Sequence, residues 1–144
     1  MRLTIVRHGE VMEEVDPNLT ELGKRQVTEL AKKLKKEKID KIYSSDLKRT
    51  IETAEIIGKE RKQNIEFTKI LREVQDEIIE IPKKDWESKK DNEKRINEIK
   101  NFLKKLEKKH KNENILIVGH AKMNRVILNI LTNSNNDLKT IDGR

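Results

Sequence analysis

Short apolar runs alternate with amphipathic stretches along this chain. Runs rich in β-branched residues predict strands at 2–6, 39–43, 65–67 and 114–118, and a shorter run at 138–141 predicts an edge strand. Such runs are typical of strands buried on both faces of a parallel sheet. The stretches between them repeat apolar residues every three or four positions, which predicts helices. The alternation therefore predicts an α/β fold, a three-layer sandwich with a mostly parallel sheet and helices on both faces.

Four helices are predicted from the apolar stripes. Thr20 has a side chain suited to capping the first helix, and Ser44 or Ser45 can cap the second. Residues 74–90 take no assignment, because Pro82 breaks any helix there. The stripes, in chain order, are Val27, Leu30, Ala31 and Leu34; Leu47, Ile51, Ala54 and Ile57; Ile96, Ile99, Phe102, Leu103 and Leu106; and Met123, Val126, Ile127, Ile130 and Leu131.

Composition narrows the class of protein. The chain has 144 residues and no cysteine, with 33% hydrophobic and 41% charged residues. This length fits one domain, so residues 1–144 are predicted to form a single domain. The absence of cysteine excludes a disulfide framework, a thiolate nucleophile and a thiolate metal site. No apolar run approaches the roughly 20 residues of a membrane span, and the chain opens on a strand, so we expect a cytoplasmic protein without membrane contact.

The positive charge is concentrated in one segment. The net charge is +7, and residues 83–111 hold 12 Lys and Arg against 6 Asp and Glu, a local balance of +6. A basic segment can attract nucleic acid or another anion. Its aromatic residues are Trp86 and Phe102, and Phe102 falls on an apolar stripe, so stacking on bases has little support. We interpret the segment as a solvated helix face, and nucleic acid is not expected as a partner.

Two strand candidates end in a histidine beside a glycine. The first runs into Arg7-His8-Gly9, and the fourth runs into Gly119-His120. The carboxyl ends of parallel strands open into the crevice where α/β proteins bind ligands. One strand-end histidine is more often structural than catalytic, but two of the three histidines in the chain lie at such ends. Their coincidence indicates a functional site.

A second arginine adds the character of an anion site. Arg49 falls in the first turn of the helix that follows the second strand, beside backbone N–H groups and the positive end of the helix dipole. Arginine presents a planar fork of donors that matches phosphate oxygens. Arg7, His8, Arg49 and His120 come from three strand ends that face one crevice, which predicts a phosphate pocket. A histidine in that pocket favours phosphoryl transfer through a histidine nucleophile.

The chain resembles the histidine phosphatase superfamily, the phosphoglycerate-mutase-like group whose signature is Arg-His-Gly. This resemblance implies a phosphoglycerate-mutase-like fold and no metal or other cofactor. The segments after His8 and before the basic helix are short, so only a minimal cap is expected. Carboxylates clustered as a metal hydrolase needs them are not evident in the sequence either. The motifs that carry the resemblance are Arg-His-Gly at 7–9, Leu-Thr-x-x-Gly-x-x-Gln at 19–26, the second-arginine helix at 44–54 and the second-histidine block at 118–121.

The resemblance also implies a role for each matched residue. His8 is the nucleophile that becomes phosphohistidine, and Arg7, Arg49 and His120 hold the phosphoryl oxygens. A neutral nucleophile requires a hydrogen bond from the other ring N–H of His8, and a backbone acceptor is expected. Leu71-Arg72-Glu73 resembles the position of the family's acidic residue, so Glu73 is assigned as general acid and then general base.

Some positions depart from the family pattern. Asp76 and Glu77 are near enough in sequence to compete with Glu73 for the acid role. Val11 and Glu14 stand where the family often has threonine and asparagine, and a carboxylate at Glu14 would repel phosphate unless it turns away. Asp85-Trp86-Glu87 is a displaced remnant, at most, of the family's Gly-x-Trp-Glu-Gly motif.

The function implied is a metal-independent phosphomonoesterase that acts on a small phosphorylated metabolite through a phosphohistidine intermediate. Three alternatives stay open: a protein phosphohistidine phosphatase, a phosphotransferase of the phosphoglycerate mutase type, and a non-catalytic module that binds phosphate or RNA. The short cap argues against the mutase, which must retain its intermediate while that intermediate reorients. The sequence leaves the natural substrate and the oligomeric state open.

Overall fold

One parallel sheet forms the centre of the fold. The structure is a computed structural model that describes residues 1–74, 86–132 and 137–142. In these residues the strands lie side by side in the order β3-β2-β4-β1-β5, and every adjacent pair is parallel. The strands are β1 (Arg2–Arg7), β2 (Lys41–Ser45), β3 (Ile65–Thr68), β4 (Asn114–Gly119) and β5 (Asp137–Asp142). The predicted strands are therefore confirmed, including the edge strand near the C-terminus.

Helices cover both faces of this sheet. Within the described ranges they are α1 (Glu21–Leu34), α2 (Lys48–Arg61), α3 (Trp86–Lys109) and α4 (Ala121–Leu131), and a short 3-10 helix spans Lys69–Leu71. The apolar stripe of α1, together with Ala54 and Ile57 of α2, packs in one core with the side chains that β1, β2 and β4 direct to that face. The stripes of α3 and α4 pack in a second core on the opposite face. The three-layer α/β prediction is confirmed.

The predicted cap of α1 is confirmed, whereas that of α2 is wrong. The Thr20 hydroxyl accepts a hydrogen bond from the Gly23 N–H at 2.9 Å. Ser44 and Ser45 are the last residues of β2, and Leu47 is the N-cap of α2 without a side-chain cap bond. The strand extends this far because Ser44 pairs with β4 as well as β3, and Ser45 pairs with β3.

The buried face of α2 is rotated from the predicted stripe. Thr50 and Thr53 are fully buried, whereas Leu47 and Ile51 are half-buried. Each threonine hydroxyl donates to a backbone carbonyl within its own helix, Thr50 to that of Leu47 at 2.8 Å and Thr53 to that of Arg49 at 2.8 Å. Because these bonds satisfy the hydroxyls, the threonines can occupy the core face.

Two glycines let the segment after His8 pack closely against α1. A Cβ on Gly9 would lie 2.8 Å from the Gly23 carbonyl oxygen, and one on Gly23 would overlap the backbone of Glu10. The Thr20 N–H donates to the Glu10 carbonyl at 2.9 Å across the same contact. The Leu-Thr-x-x-Gly motif therefore holds the segment that begins at the first histidine.

The unassigned stretch at 74–90 is partly described, because α3 begins at Trp86. Pro82, Asp85 and the two competing carboxylates Asp76 and Glu77 lie outside the described residues. The short segment before α3, one of the two in which a minimal cap is expected, falls largely in these residues. Across the described parts of the chain, none of the helices is both long enough and apolar enough to cross a membrane.

Candidate active site

The adjacent ends of β1 and β4 bring two histidines together. Arg7 pairs with Gly119 in the sheet, and the His8 N–H continues the ladder by donating to the Gly119 carbonyl at 3.1 Å. The rings of His8 and His120 meet edge to face, with centroids 5.5 Å apart. Both are buried, at 4% and 0% exposure. The structure therefore places the two strand-end histidines beside each other.

The imidazole of His8 has a defined tautomer. Its Nδ1 lies 2.7 Å from the Gly9 carbonyl oxygen. Because a carbonyl oxygen can only accept, Nδ1 carries the hydrogen and Nε2 carries the lone pair when the ring is neutral. The expected hydrogen bond to the backbone is therefore present, and it places the lone pair of the neutral ring on Nε2.

The imidazole of His120 is held uncharged. Burial is the largest cause, and electrostatic repulsion by Arg49, His8 and Arg7 adds to it, so that its pKa falls from 6.5 to about 3. These three residues therefore lie close enough to His120 to influence its charge. At neutral pH, His120 can offer a phosphoryl oxygen a hydrogen bond but no positive charge.

Arg49 contacts a carboxylate that the sequence analysis missed. It is the second residue of α2, and its Nη1 lies 3.9 Å from Oδ1 of Asp16. The same oxygen accepts a hydrogen bond from the Lys48 N–H at 3.0 Å. Asp16 has a left-handed backbone conformation, with φ of 44°. The Asp16 carboxylate thus occupies hydrogen-bond donors at the N-terminus of α2. No local sequence pattern around Asp16 predicts this contact.

Glu73 lies at the N-terminus of α4, the helix that begins directly after His120. Its Oε1 accepts from the backbone N–H of Met123 at 2.8 Å and from that of Val74 at 3.1 Å. Its Oε2 accepts from the Lys122 N–H at 3.3 Å. The carboxylate therefore supplies the cap that the His120 side chain does not make. The first turn of α4 therefore faces a negative charge, which the positive end of a helix dipole favours.

A bidentate ion pair connects Arg72, the residue before Glu73, to Asp46, which lies just before α2. Arg72 donates from Nε to Asp46 Oδ1 at 2.6 Å and from Nη2 to Oδ2 at 2.8 Å. The Arg72 guanidinium lowers the pKa of the Asp46 carboxyl, mainly through this hydrogen bond. Bidentate pairs of this kind fix orientation as well as distance. Asp46 and Arg72 thus fasten the residue next to Glu73.

The structure also describes Val11 and Glu14, the two residues after His8 that depart from the family pattern. Val11 forms an antiparallel bridge with Leu19, and the Glu14 side chain is exposed. Within residues 1–74, 86–132 and 137–142, no group of three or more His, Cys, Asp or Glu side chains is placed to hold a metal ion.

Comparison with known families agrees with this arrangement. The model of the histidine phosphatase superfamily (branch 1) matches residues 3–141. The chain belongs to this superfamily. Together with the phosphatases among its relatives, the match identifies it as an enzyme of the phosphatase type.

Individual proteins resemble the chain in sequence and in fold. Phosphoserine phosphatase 1 of Hydrogenobacter thermophilus is 29% identical over 150 residues, which cover 84% of this chain and 71% of that protein. The phosphoglycerate mutase of Bacillus anthracis superposes with a TM-score of 0.69 at 23% identity, covering 94% of this chain and 82% of that one. A phosphoserine phosphatase of Entamoeba histolytica, solved with 3-phosphoglyceric acid, has a TM-score of 0.65 at 22% identity, with coverages of 90% and 80%. The two structures show that the fold is phosphoglycerate-mutase-like.

Proposed function

We propose that this enzyme is a metal-independent phosphomonoesterase that acts through phosphohistidine at His8. The observation that carries the proposal is the 2.7 Å bond from His8 Nδ1 to the Gly9 carbonyl, which directs the lone pair to Nε2. Arg7 and Arg49 lie close enough to lower the pKa of His120, beside that nucleophile. A dissociative phosphoryl transfer needs mainly such positioning and positive charge.

The reaction has two steps. In the first, Nε2 of His8 bonds to phosphorus, the bond to the ester oxygen breaks, and protonated Glu73 gives its proton to that oxygen. In the second, a water oxygen bonds to phosphorus, the phosphorus–nitrogen bond breaks, and the proton of water passes to Glu73. Arg7, Arg49 and His120 hold the other phosphoryl oxygens in both steps.

We infer that the substrate is a small phosphorylated metabolite. The relative with the longest match described above is a phosphoserine phosphatase, and a structural neighbour was solved with 3-phosphoglyceric acid. Both molecules are phosphate esters of small hydroxy acids. These likenesses support the substrate class and leave the individual substrate to experiment.

Trapping the intermediate tests the proposal. Brief reaction with a phosphate-labelled ester is expected to leave acid-labile, base-stable label on His8, because phosphoramidates hydrolyse in acid. His8→Ala should lose the label, whereas the control His110→Gln should keep it, because His110 is buried elsewhere against Tyr43. Label on serine, or label that persists in His8→Ala, would contradict the nucleophile assignment.

Product analysis tests hydrolysis itself. Inorganic phosphate and alcohol should appear in equal amounts, with EDTA present, and vanadate should inhibit. Loss of turnover on chelation would contradict the metal-free mechanism. Transfer of the phosphoryl group to a second hydroxy acid, in place of release, would favour the mutase alternative.

A further inference from the structure

Ser45 contacts His120 at the centre of the candidate site. The Oγ of Ser45 lies 2.9 Å from Nε2 of His120, and both residues are fully buried. The contact joins the ends of β2 and β4, although the two residues are 75 positions apart in sequence. The sequence pattern predicts Ser45 only as a helix cap, and Leu47 occupies that position.

The hydrogen-bonding capacity of Ser45 gives the contact a direction. Its Oγ already accepts from the Leu47 N–H at 3.4 Å. Among the hydrogen bonds of the described residues, the one group placed to accept the Ser45 hydroxyl hydrogen is Nε2 of His120. A hydroxyl has one hydrogen to give, and a neutral imidazole has one lone pair to receive it. In this arrangement Nε2 accepts, so the ring hydrogen of His120 resides on Nδ1.

We propose that Ser45 is a positioning residue that holds His120 in the Nδ1–H tautomer, so that Nδ1 can donate to a phosphoryl oxygen. This inference rests on the proposed function, because the acceptor is the substrate's phosphoryl group. Nδ1 of His120 is buried and has no hydrogen-bond partner among the described residues. A buried N–H without an acceptor is costly, and a bound phosphoryl oxygen would satisfy it.

The tautomer matters because His120 is uncharged. Its pKa lies at about 3, so at neutral pH only one of its nitrogens bears a hydrogen. In the opposite tautomer, Nδ1 would direct a lone pair at an anionic oxygen and repel it. His8 has its ring hydrogen on Nδ1 as well, but there the hydrogen is bonded to Gly9. Both histidines thus carry the ring hydrogen on Nδ1. In His8 this gives Nε2 the lone pair of the nucleophile, and in His120 it makes Nδ1 the hydrogen-bond donor.

Nuclear magnetic resonance can observe the tautomer directly. The protein is labelled with 15N-histidine and measured without phosphate at neutral pH. With three histidines in the chain, comparison with His8→Asn and His110→Gln assigns each ring. We expect His120 to show a protonated Nδ1 and an unprotonated Nε2. A spectrum with the hydrogen on Nε2 would overturn the proposal, and this measurement does not depend on turnover.

Two neighbouring serine variants test the consequence. Ser45→Ala is expected to give a mixture of His120 tautomers, to weaken binding of inorganic phosphate, and to lower kcat/KM about tenfold, the usual worth of a buried hydrogen bond. The matched control is Ser44→Ala, because Ser44 is equally buried and its hydroxyl donates to the backbone carbonyls of Ser45 and Thr50. It should leave the tautomer and the kinetics unchanged.

The variants can also overturn the proposal. An unchanged His120 spectrum in Ser45→Ala would do so, as would equal losses of activity in Ser44→Ala. Failure of the proposed function would look different, because it would appear as missing label on His8 while the tautomer of His120 stayed as expected.

Discussion

The Glu73 carboxylate accepts the backbone N–H of Met123 at 2.8 Å, which holds it at the helix that follows His120. If Glu73 protonates the leaving oxygen, Glu73→Gln should lower turnover of alkyl phosphates by roughly 10²- to 10⁴-fold, the worth of general acid catalysis. Aryl phosphates should lose far less, because their leaving groups need little protonation. Steady-state rates on one substrate of each kind measure the difference.

The control for this change is Glu93→Gln, which alters an exposed carboxylate of α3. It should leave both rates unchanged. An equal loss on both substrates in Glu73→Gln would indicate a structural defect at the start of α4. No loss on either would pass the acid role to Asp76 or Glu77, or would favour a phosphohistidine substrate.

Asp16 is expected to compete with phosphate for Arg49. Its carboxylate accepts a hydrogen bond from the Lys48 N–H at 3.0 Å and lies 3.9 Å from Nη1 of Arg49. Asp16→Asn keeps an acceptor for that N–H and removes the negative charge, so the Kd of inorganic phosphate should fall about two- to fivefold, the range of a charge pair near the protein surface. Isothermal titration at moderate salt measures it.

Glu13→Gln is the matched control for Asp16, because it removes an exposed charge from the same loop. An equal increase in phosphate affinity in Glu13→Gln would show that the effect comes from the net charge of the loop and not from the contact between Asp16 and Arg49. Weaker phosphate binding in Asp16→Asn would show instead that Asp16 holds the arginine in place.

Stability should depend on pH through His120. The pKa of His120 is about 3 in the folded protein, against 6.5 ordinarily, so below pH 6.5 the unfolded chain takes up a proton that the folded chain does not. The free energy of unfolding should therefore decrease as pH falls from 6.5 toward 3, by up to about 1.4 kcal/mol per pH unit from this group. Urea unfolding at several pH values measures the slope.

His120→Gln isolates that contribution, because the carboxylates that also titrate are common to both proteins. The variant should show a flatter dependence between pH 6.5 and 4. Identical slopes in the two proteins would mean that His120 does not resist protonation.

Gly23 is expected to tolerate no side chain. A Cβ there would overlap the Glu10 carbonyl, so Gly23→Ala should shift α1 away from the segment after His8 and cost about 1–3 kcal/mol of stability, as overpacking does. Activity should fall with it. Leu22→Ala, a change at a side chain that is 45% exposed in the same turn, should change stability by less than about 0.5 kcal/mol. Equal thermal midpoints for both variants would contradict the close contact.

Local pattern accounts for the parts of this protein that the sequence predicted well. The β-branched runs marked the strands because burial on both faces makes a strand continuously apolar. The helical stripes marked the helices because burial on one face imposes a period that is visible in a short window. Thr20 was recognisable as a cap because its hydroxyl binds only three residues away. The predicted stripe of α2 was wrong because Thr50 and Thr53 lie in the core. Their hydroxyls donate hydrogen bonds to nearby backbone carbonyls, so these polar side chains can be buried.

The sequence by itself determined the elements, the strand ends that bear His8 and His120, and the arginine at the start of α2. Only the tertiary structure decided which groups meet there. Ser45 reaches His120 across 75 positions, and Glu73 reaches Met123 across 50. Such contacts depend on the strand order of the whole sheet, whereas hydrophobic periodicity is a property of a short segment and does not specify which distant segment lies beside it.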